Sequence, residues 1–142
     1  MEIRDARPAD AEGLAALLAE LGYPAEPAAV AARVERVASD SGSRVLVADT
    51  GGELVGLASL TVIPLLHEDG CWARISSFVV AESHRRRGIG RALLAAAEDD
   101  ARHRGCRFAE VTSGERADRE AAHRFYAARG YEQVSRRFLR EL

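Results

Sequence analysis

The chain has 142 residues, of which 47% are hydrophobic and 30% charged, and this length and balance fit one globular domain over residues 1–142. The formal net charge of −2 disfavours a nucleic-acid-binding protein, because such domains tend to be basic, and no segment approaches the roughly twenty apolar residues of a membrane span. All 20 basic residues are arginines, which excludes lysine Schiff-base chemistry and the lysine-containing Walker phosphate loop.

The N-terminal stretch is charged from Glu2 onward and lacks the apolar core of a secretory signal, so a cytoplasmic protein is expected. A short strand is predicted at residues 2–6, and Pro8 and Asp10 can open the helix that follows. Its leucines recur at helical spacing, at positions 14, 17, 18 and 21. The "LGYP" sequence at residues 21–24 breaks this helix, and a second amphipathic helix is predicted over residues 27–39.

Residues 44–63 contain two β-rich runs joined at Gly51-Gly52, which indicates a hairpin, and the next strand is predicted over Trp72–Val80. A helix with an inner stripe of Ile89, Leu93, Ala96 and Ala97 follows, reaches about Arg104 and is ended by Gly105. A strand over residues 106–112, a helix over 118–130 and a final strand over 131–139 complete the order. This order predicts an α+β fold with a twisted, mostly antiparallel sheet, in which a crossover from Phe78 through Val111 supplies a parallel pair.

The "HRRRGIG" sequence at residues 84–90 lies where this crossover leaves its strand and enters its helix. A helix start exposes backbone N–H groups and carries partial positive charge, and Gly88 and Gly90 let main-chain amides approach a diphosphate. A small anionic ligand is therefore favoured over a solvated basic loop. A dinucleotide-binding G-x-G-x-x-G loop is disfavoured, because its third glycine position is Leu93 and the preceding half of the chain reads as antiparallel.

Two segments resemble motifs of the GNAT superfamily of N-acetyltransferases. Residues 85–90 match its acetyl-CoA pyrophosphate loop, Gln/Arg-x-x-Gly-x-Gly/Ala, and "AAHRFYAARGYE" at residues 121–132 is similar to its Phe/Leu-Tyr-x-x-x-Gly-Phe/Tyr segment. The resemblance implies the α/β/α-layered GNAT fold from Met1 to about Leu139, a mixed sheet whose parallel strand pair splays apart.

The resemblance also implies transfer of the acetyl group from acetyl-CoA directly to a primary amine, without a metal. Pantetheine would bind along the strand that ends at Val80, and a backbone N–H of Phe78 or Val79 would stabilise the oxyanion. The diphosphate would rest on amides of the arginine–glycine segment. The implied cofactor-binding residues are Phe78, Val79, Val80, Arg85, Arg86, Arg87, Gly88, Ile89, Gly90 and Arg91.

Tyr126 matches the family tyrosine that protonates the leaving thiolate, although it could instead pack its helix against the sheet or only hydrogen-bond to the cofactor. Tyr131 is expected in the core. Relatives often carry a carboxylate base where this chain has Ser76 and Ser77, and an asparagine where it has Arg119, whose contact Thr112 or Ser113 could replace. Glu82, His84, Glu110, His123 and a water relay remain as candidates for proton removal.

The acceptor pocket is expected between the first two helices, the "LGYP" turn, the "PLLHEDG" loop and the last strand. Its candidate lining residues are Glu20, Tyr23, Glu26, His67, Glu68, Asp69 and Trp72. A small-molecule amine is the favoured acceptor and a protein amine the alternative, and a non-catalytic acyl-CoA-binding or sensing module of the same fold is the competing function. Neither nucleic acid nor a membrane is expected as a partner, and a homodimer is left open.

Overall fold

A computed structural model describes residues 1–112, 120–135 and 137–142, in two compact units, Met1–Thr112 and Ser113–Leu142. The strands are β1 (Glu2–Asp5), β2 (Ser43–Asp49), β3 (Leu54–Pro64), β4 (Cys71–Val80) and β5 (Cys106–Val111). The helices are α1 (Ala11–Leu21), α2 (Pro27–Ala38), α3 (Ile89–His103) and α4 (Glu120–Ala127), with 3₁₀ turns at Pro8–Asp10 and Glu82–His84.

The sheet of the first unit has the strand order β1-β2-β3-β4-β5, so its spatial order is the chain order. The first three pairings are antiparallel, and only β4 and β5 run parallel, joined by α3 as a crossover. The predicted mixed sheet with one parallel pair is therefore confirmed.

Helices α1 and α2 cover one face of the sheet. Gly22 ends α1, and its N–H donates to the carbonyls of Leu18 and Ala19. The shared core on this face comprises Leu14, Leu17, Leu21, Val30 and Val34 from the helices, together with Val47, Leu57 and Val79 from the sheet. Burial of this stripe confirms the predicted helical spacing.

Helix α3 covers the opposite face, because side chains alternate along a strand and Gly56, next to Leu57, faces α3. Leu93 and Ile89 lie so close to Gly56 that a side chain at residue 56 would collide with them. The buried residues of α3 are Ile89, Leu93, Leu94, Ala97 and Ala101, of which the predicted stripe lacked Leu94 and Ala101. The start of α3, and the segment before it, is thus held against β3.

The second unit contains α4 followed by a turn that ends at Gly130. The predicted final strand is wrong, because residues 131–135 and 137–139 include no strand, and Val134 and Phe138 are 80% and 92% exposed. The physical reason is the apolar spacing. Tyr131, Val134 and Phe138 are three and four residues apart, whereas a strand with one buried face needs a spacing of two.

Candidate active site

Strand β4 contains a bulge where the candidate catalytic region begins. Ser77 pairs with Ser59 of β3 and Ile75 pairs with Leu60, so Ser76 is an extra residue with no position opposite it. A bulge bends its strand and increases the local twist. Strand β4 therefore changes direction at Ser76, and its last residues follow a path different from that of its first half.

The parallel ladder between β4 and β5 ends at the same place. Pairing runs from Cys71 with Cys106 to Ile75 with Val111, and the Thr112 N–H donates to the Ile75 carbonyl at 3.3 Å. Beyond Ile75, β4 continues to Val80 paired with β3, and the described part of β5 does not follow it. The predicted splaying requires β4 and β5 to stop pairing before β4 ends, and their ladder does stop at Ile75.

The segment between β4 and α3 has the backbone shape of an anion site. Arg86 has φ 63°, the only positive φ of a non-glycine among the described residues, and Gly88 has φ 80° as the residue before α3. The Ala92 N–H makes the first bond of this helix, to the Gly88 carbonyl at 3.0 Å. Within residues 1–112, the amides of Arg86–Arg91 have no main-chain acceptor, and amides so arranged bind anions.

The arginine side chains of this segment divide into two groups. Arg85 turns back onto the chain, where its Nε donates to the Val80 carbonyl at 3.1 Å and its guanidinium lies 4.0 Å from Glu20. Arg86, Arg87 and Arg91 are exposed, and no ion pair holds them within the described part of the first unit. Arg85 thus shapes the loop, whereas the other three are available to a ligand.

The remaining candidate cofactor residues lie along this path with different degrees of burial. Phe78 and Val80 are half-buried, Val79 packs into the core beneath α1 and α2, and the Ile89 side chain is buried beside Gly56. The side chains of Val79 and Ile89 therefore face the interior, so only their main-chain groups are suited to contact a cofactor.

Glu20 has a role that the sequence did not reveal. Its Oε2 accepts a hydrogen bond at 2.9 Å from the Glu82 N–H, in the 3₁₀ turn directly after β4. Helix α1 is thereby tied to the beginning of the arginine–glycine segment. Because the two residues lie 62 positions apart, no local sequence pattern could have indicated this contact.

A cleft of about 500 Å³ opens between α1, the β2–β3 hairpin and the segment after β4. Its lining residues are Ala9, Asp10, Glu12, Gly13, Ala16, Leu17, Glu20, Gly52, Glu53, Leu54, Ala81 and Ser83. Asp10 binds Arg4 through two hydrogen bonds of 2.8 and 2.9 Å, which lower the pKa of that carboxyl. Because Asp10, Glu12, Glu20 and Glu53 make this lining acidic, the cleft is unfavourable for an anionic group such as a phosphate.

The predicted acceptor residues do not line one pocket. Glu68 accepts from Trp72 Nε1 at 3.1 Å, at the first end of β4, whereas Glu20 contacts Glu82 beyond its other end. The nine residues of strand between these points span roughly 30 Å. The prediction that Glu20 and Glu68 lie at the opening of the same acceptor pocket is therefore wrong. Tyr23, His67 and Asp69 are exposed.

The candidate bases differ in whether other side chains already form hydrogen bonds with them. Glu110 accepts a hydrogen bond at 2.6 Å from Arg74 Nε, which ties its carboxylate to an ion pair on the sheet. His84 Nδ1 lies 2.8 Å from the Ser83 hydroxyl, and Ser76 is exposed at the bulge. Glu82 is exposed, directly before the arginine–glycine segment of residues 85–91.

In the second unit, Tyr126 is half-buried and its ring makes edge contacts with Phe125 and Tyr131, at centroid distances of 5.4 and 5.9 Å. The Tyr131 N–H donates to the Tyr126 carbonyl at 3.1 Å. Tyr131 is itself half-buried, so the expectation of a core residue is met only in part. Arg119 and Ser113 lie outside the described residues.

The described parts of the chain contain neither a candidate metal site nor a candidate membrane span. No three His, Cys, Asp or Glu side chains there are grouped as metal ligands. None of the helices described is both long enough and apolar enough to cross a bilayer.

Known proteins resemble this chain both in sequence and in fold. The profile of the acetyltransferase (GNAT) family matches residues 11–131. The chain is 34% identical to an aminoalkylphosphonate N-acetyltransferase of Salmonella typhimurium, over 99% of this chain and 91% of the relative. It is 31% identical to an aminoglycoside N(6')-acetyltransferase of Stenotrophomonas maltophilia, over 94% and 88% respectively.

The fold is also similar to that of a solved structure, an aminoglycoside N-acetyltransferase in complex with CoA. The TM-score is 0.84 and the match covers 99% of this chain and 93% of the other. Because the two sequences are only 19% identical, this similarity concerns the fold alone. The profile match over residues 11–131 and the relative with 34% identity confirm the family that the two motifs indicated.

Proposed function

The chain belongs to the acetyltransferase (GNAT) family and is an acetyl-CoA-dependent N-acetyltransferase, and we propose that its acceptor is the primary amine of a small molecule. The family profile runs through both compact units, which supports a single domain over residues 1–142. The proposal further assigns the cofactor to β4 and the start of α3, and the leaving-group acid to Tyr126.

The observation that carries the cofactor assignment is the backbone of residues 86–91. Two residues with positive φ, Arg86 and Gly88, lie before the start of a helix, and within residues 1–112 the amides of Arg86–Arg91 have no main-chain acceptor. The diphosphate of acetyl-CoA would accept from these amides. Arg86, Arg87 and Arg91 would add charge around it, because their exposed guanidinium groups are not used in ion pairs there.

The thioester then belongs beside β4, after the bulge. Pantetheine would run along Phe78–Val80, where β4 has parted from β5, as an added strand does at a sheet edge. An N–H of Phe78 or Val79 would donate to the carbonyl oxygen as it becomes negative. The amine nitrogen attacks the carbonyl carbon, a C–N bond forms, and the C–S bond to CoA breaks.

Tyr126 is proposed to give its phenolic proton to the departing CoA sulfur. A thiolate with a pKa near 8.5 leaves more easily if it is protonated, and transfer from a phenol with a pKa near 10 is uphill by only about 1.5 pKa units, so the phenol can supply the proton when it lies next to the sulfur. The second proton of the attacking nitrogen then restores the phenol, so CoA leaves as the thiol.

Removal of the first proton from the ammonium form of the acceptor is assigned to a water relay that leads to solvent. Ser76 and Ser77 are poor bases, and the Glu110 carboxylate is held by Arg74 at 2.6 Å. A relay requires an ordered water molecule near Ser76, which is exposed. It does not require a side chain with a shifted pKa.

The acceptor class rests on the two relatives that cover most of the chain, which are named for aminoalkylphosphonate and aminoglycoside acetylation. Both acceptors are small molecules with primary amines. The acidic cleft beside the phosphate segment suits a cationic acceptor more than an anionic one. Within the small-molecule class, this favours polyamine-like or aminoglycoside-like acceptors over aminoalkylphosphonates.

A panel of amines tests the proposal, with CoA release measured at saturating acetyl-CoA. The panel contains aminoglycosides, aminoalkylphosphonates, linear diamines and a peptide with a free N-terminus. We expect turnover with one or more small amines and none with the peptide. Turnover of the peptide alone would replace the small-molecule acceptor with a protein amine, and acetyl-CoA binding without turnover of any amine would favour a sensing module.

A further inference from the structure

The two cysteines of the chain meet at the first rung of the parallel ladder. Cys71 begins β4, Cys106 begins β5, and the two residues are direct partners in the register. Their sulfur atoms lie 3.0 Å apart, and both thiols are free and half-buried. Each side chain therefore retains contact with solvent.

The backbone at this rung already has the spacing of a disulfide. Neighbouring strands lie about 4.8 Å apart, within the range of roughly 4.4–6.8 Å between α-carbons that disulfides span. The two sulfur atoms, 3.0 Å apart, need to approach by about 1 Å to reach the S–S bond length of about 2.05 Å. From this geometry we propose that Cys71 and Cys106 form a reversible disulfide within the chain, by exchange with a low-molecular-weight disulfide.

The proposed exchange proceeds in two steps. The Cys71 thiolate attacks one sulfur of the small disulfide, whose S–S bond breaks, and the first small thiolate leaves and takes up a proton. Cys106 then loses its proton, attacks the Cys71 sulfur and displaces the second small thiolate, which is protonated in turn. The protein loses two electrons and two protons, and the small disulfide is reduced to two thiols.

The local environment distinguishes the two cysteines. Burial and the contact with Cys71 raise the pKa of the Cys106 thiol to about 11, so Cys106 stays protonated near neutral pH. Its S–H can then donate to the Cys71 sulfur, which lies 3.0 Å away. This supports Cys71 as the attacking residue and Cys106 as the resolving one.

The bond would close a loop from residue 71 to residue 106. This loop contains β4, the arginine–glycine segment and α3, so the crosslink limits the unfolded chain over a large part of the first unit. Oxidation should therefore raise the melting temperature, by about 5 °C or more. The proposal is independent of the acceptor and of the catalytic role of Tyr126.

The test incubates the folded, reduced protein with glutathione disulfide and then counts thiols in denaturant. We expect both thiols to be lost, a mass lower by two hydrogens, and a Cys71–Cys106 peptide on digestion without reductant. Dithiothreitol should restore the thiols and the original melting temperature. The variants Cys71→Ser and Cys106→Ser serve as matched controls, and a glutathione adduct is expected to accumulate on Cys71 in Cys106→Ser.

Three outcomes would overturn the proposal. One is that both thiols remain titratable after incubation. Another is a disulfide between two chains, seen as a dimer without reductant. The third is a crosslinked chain that melts below the reduced one, because that would mean the rung is not shaped for the bond.

Discussion

Leu93 of α3 lies so close to Gly56 of β3 that a β-carbon on the glycine would come within 2.6 Å of Leu93 Cδ1 and 3.3 Å of Ile89 Cγ2. Both neighbours are buried side chains in the first turns of α3. The absence of a side chain at residue 56 therefore sets how near the start of α3 lies to the sheet.

We expect Gly56→Ala to lower the free energy of unfolding by about 1–3 kcal/mol, because one methyl group must displace two packed side chains. Urea denaturation measures this loss. Gly13→Ala is the matched control, since its nearest neighbour is the single side chain of Leu54 at 3.1 Å and alanine favours helix there. Equal stability of Gly56→Ala and wild type would show that α3 is free to shift.

Gly90→Asp should weaken acetyl-CoA binding tenfold or more, about 1.4 kcal/mol, by placing a carboxylate against the diphosphate. Gly90 lies in the first turn of α3, where an aspartate is compatible with the helix, so folding should persist. Calorimetry on the variant measures the affinity. Gly90→Asn has nearly the same shape without the charge and should lose less, whereas undiminished affinity of Gly90→Asp would contradict the assigned phosphate seat.

Tyr126→Phe should lower kcat by roughly 10² to 10⁴ while leaving acetyl-CoA affinity nearly unchanged, because the hydroxyl acts mainly in the transition state. Steady-state kinetics on a saturating amine, together with calorimetry, separates the two effects. The high-pH limb of the rate profile should also change, since it partly reports the phenol. A defect confined to acetyl-CoA binding would remove Tyr126 from proton transfer.

Ser77→Ala is the companion to this experiment and should cost less than about tenfold in kcat, because a serine can at most position a water. A large loss with intact folding would return proton removal to β4 and end the water-relay assignment.

The ion pair between Arg4 and Asp10 should make the free energy of unfolding depend on pH. The hydrogen bonds from Arg4 lower the pKa of Asp10, so the pair stabilises the fold above the unfolded carboxyl pKa near 3.9. This contribution is lost as the pH falls through the depressed pKa of the folded state. We expect Arg4→Met to be less stable than wild type at pH 7, and the difference to shrink toward pH 2.

Thermal unfolding at a series of pH values measures this difference. Arg102→Met is the control, because Arg102 and Asp99 form an ion pair in which both side chains are about two-thirds exposed, at 67% and 66%. Such pairs contribute little. A gap between Arg4→Met and wild type that stays constant from pH 7 to pH 2 would show that packing, not charge, accounts for the role of Arg4.

Local patterns predicted most of the first unit. The Gly51-Gly52 hairpin, the leucine spacing of α1 and the glycine before α3 each depend on a few adjacent residues, and each was identified from the sequence. The bulge at Ser76 was not, because it depends on which β3 residue lies opposite. The contact of Glu20 with Glu82 and the inward turn of Arg85 depend on how distant elements pack, so no periodicity indicates them.

The agreement between chain order and spatial order in the sheet has a consequence for how the protein folds. Strands β2, β3 and β4 can pair after short loops close, whereas β5 can join only after the whole segment from Ala81 to Gly105 has been organised. Until then β4 presents an open edge with unused hydrogen-bonding groups. The interval before β5 docks is therefore when the folding chain is most exposed to aggregation, through the same strand to which we assign the pantetheine.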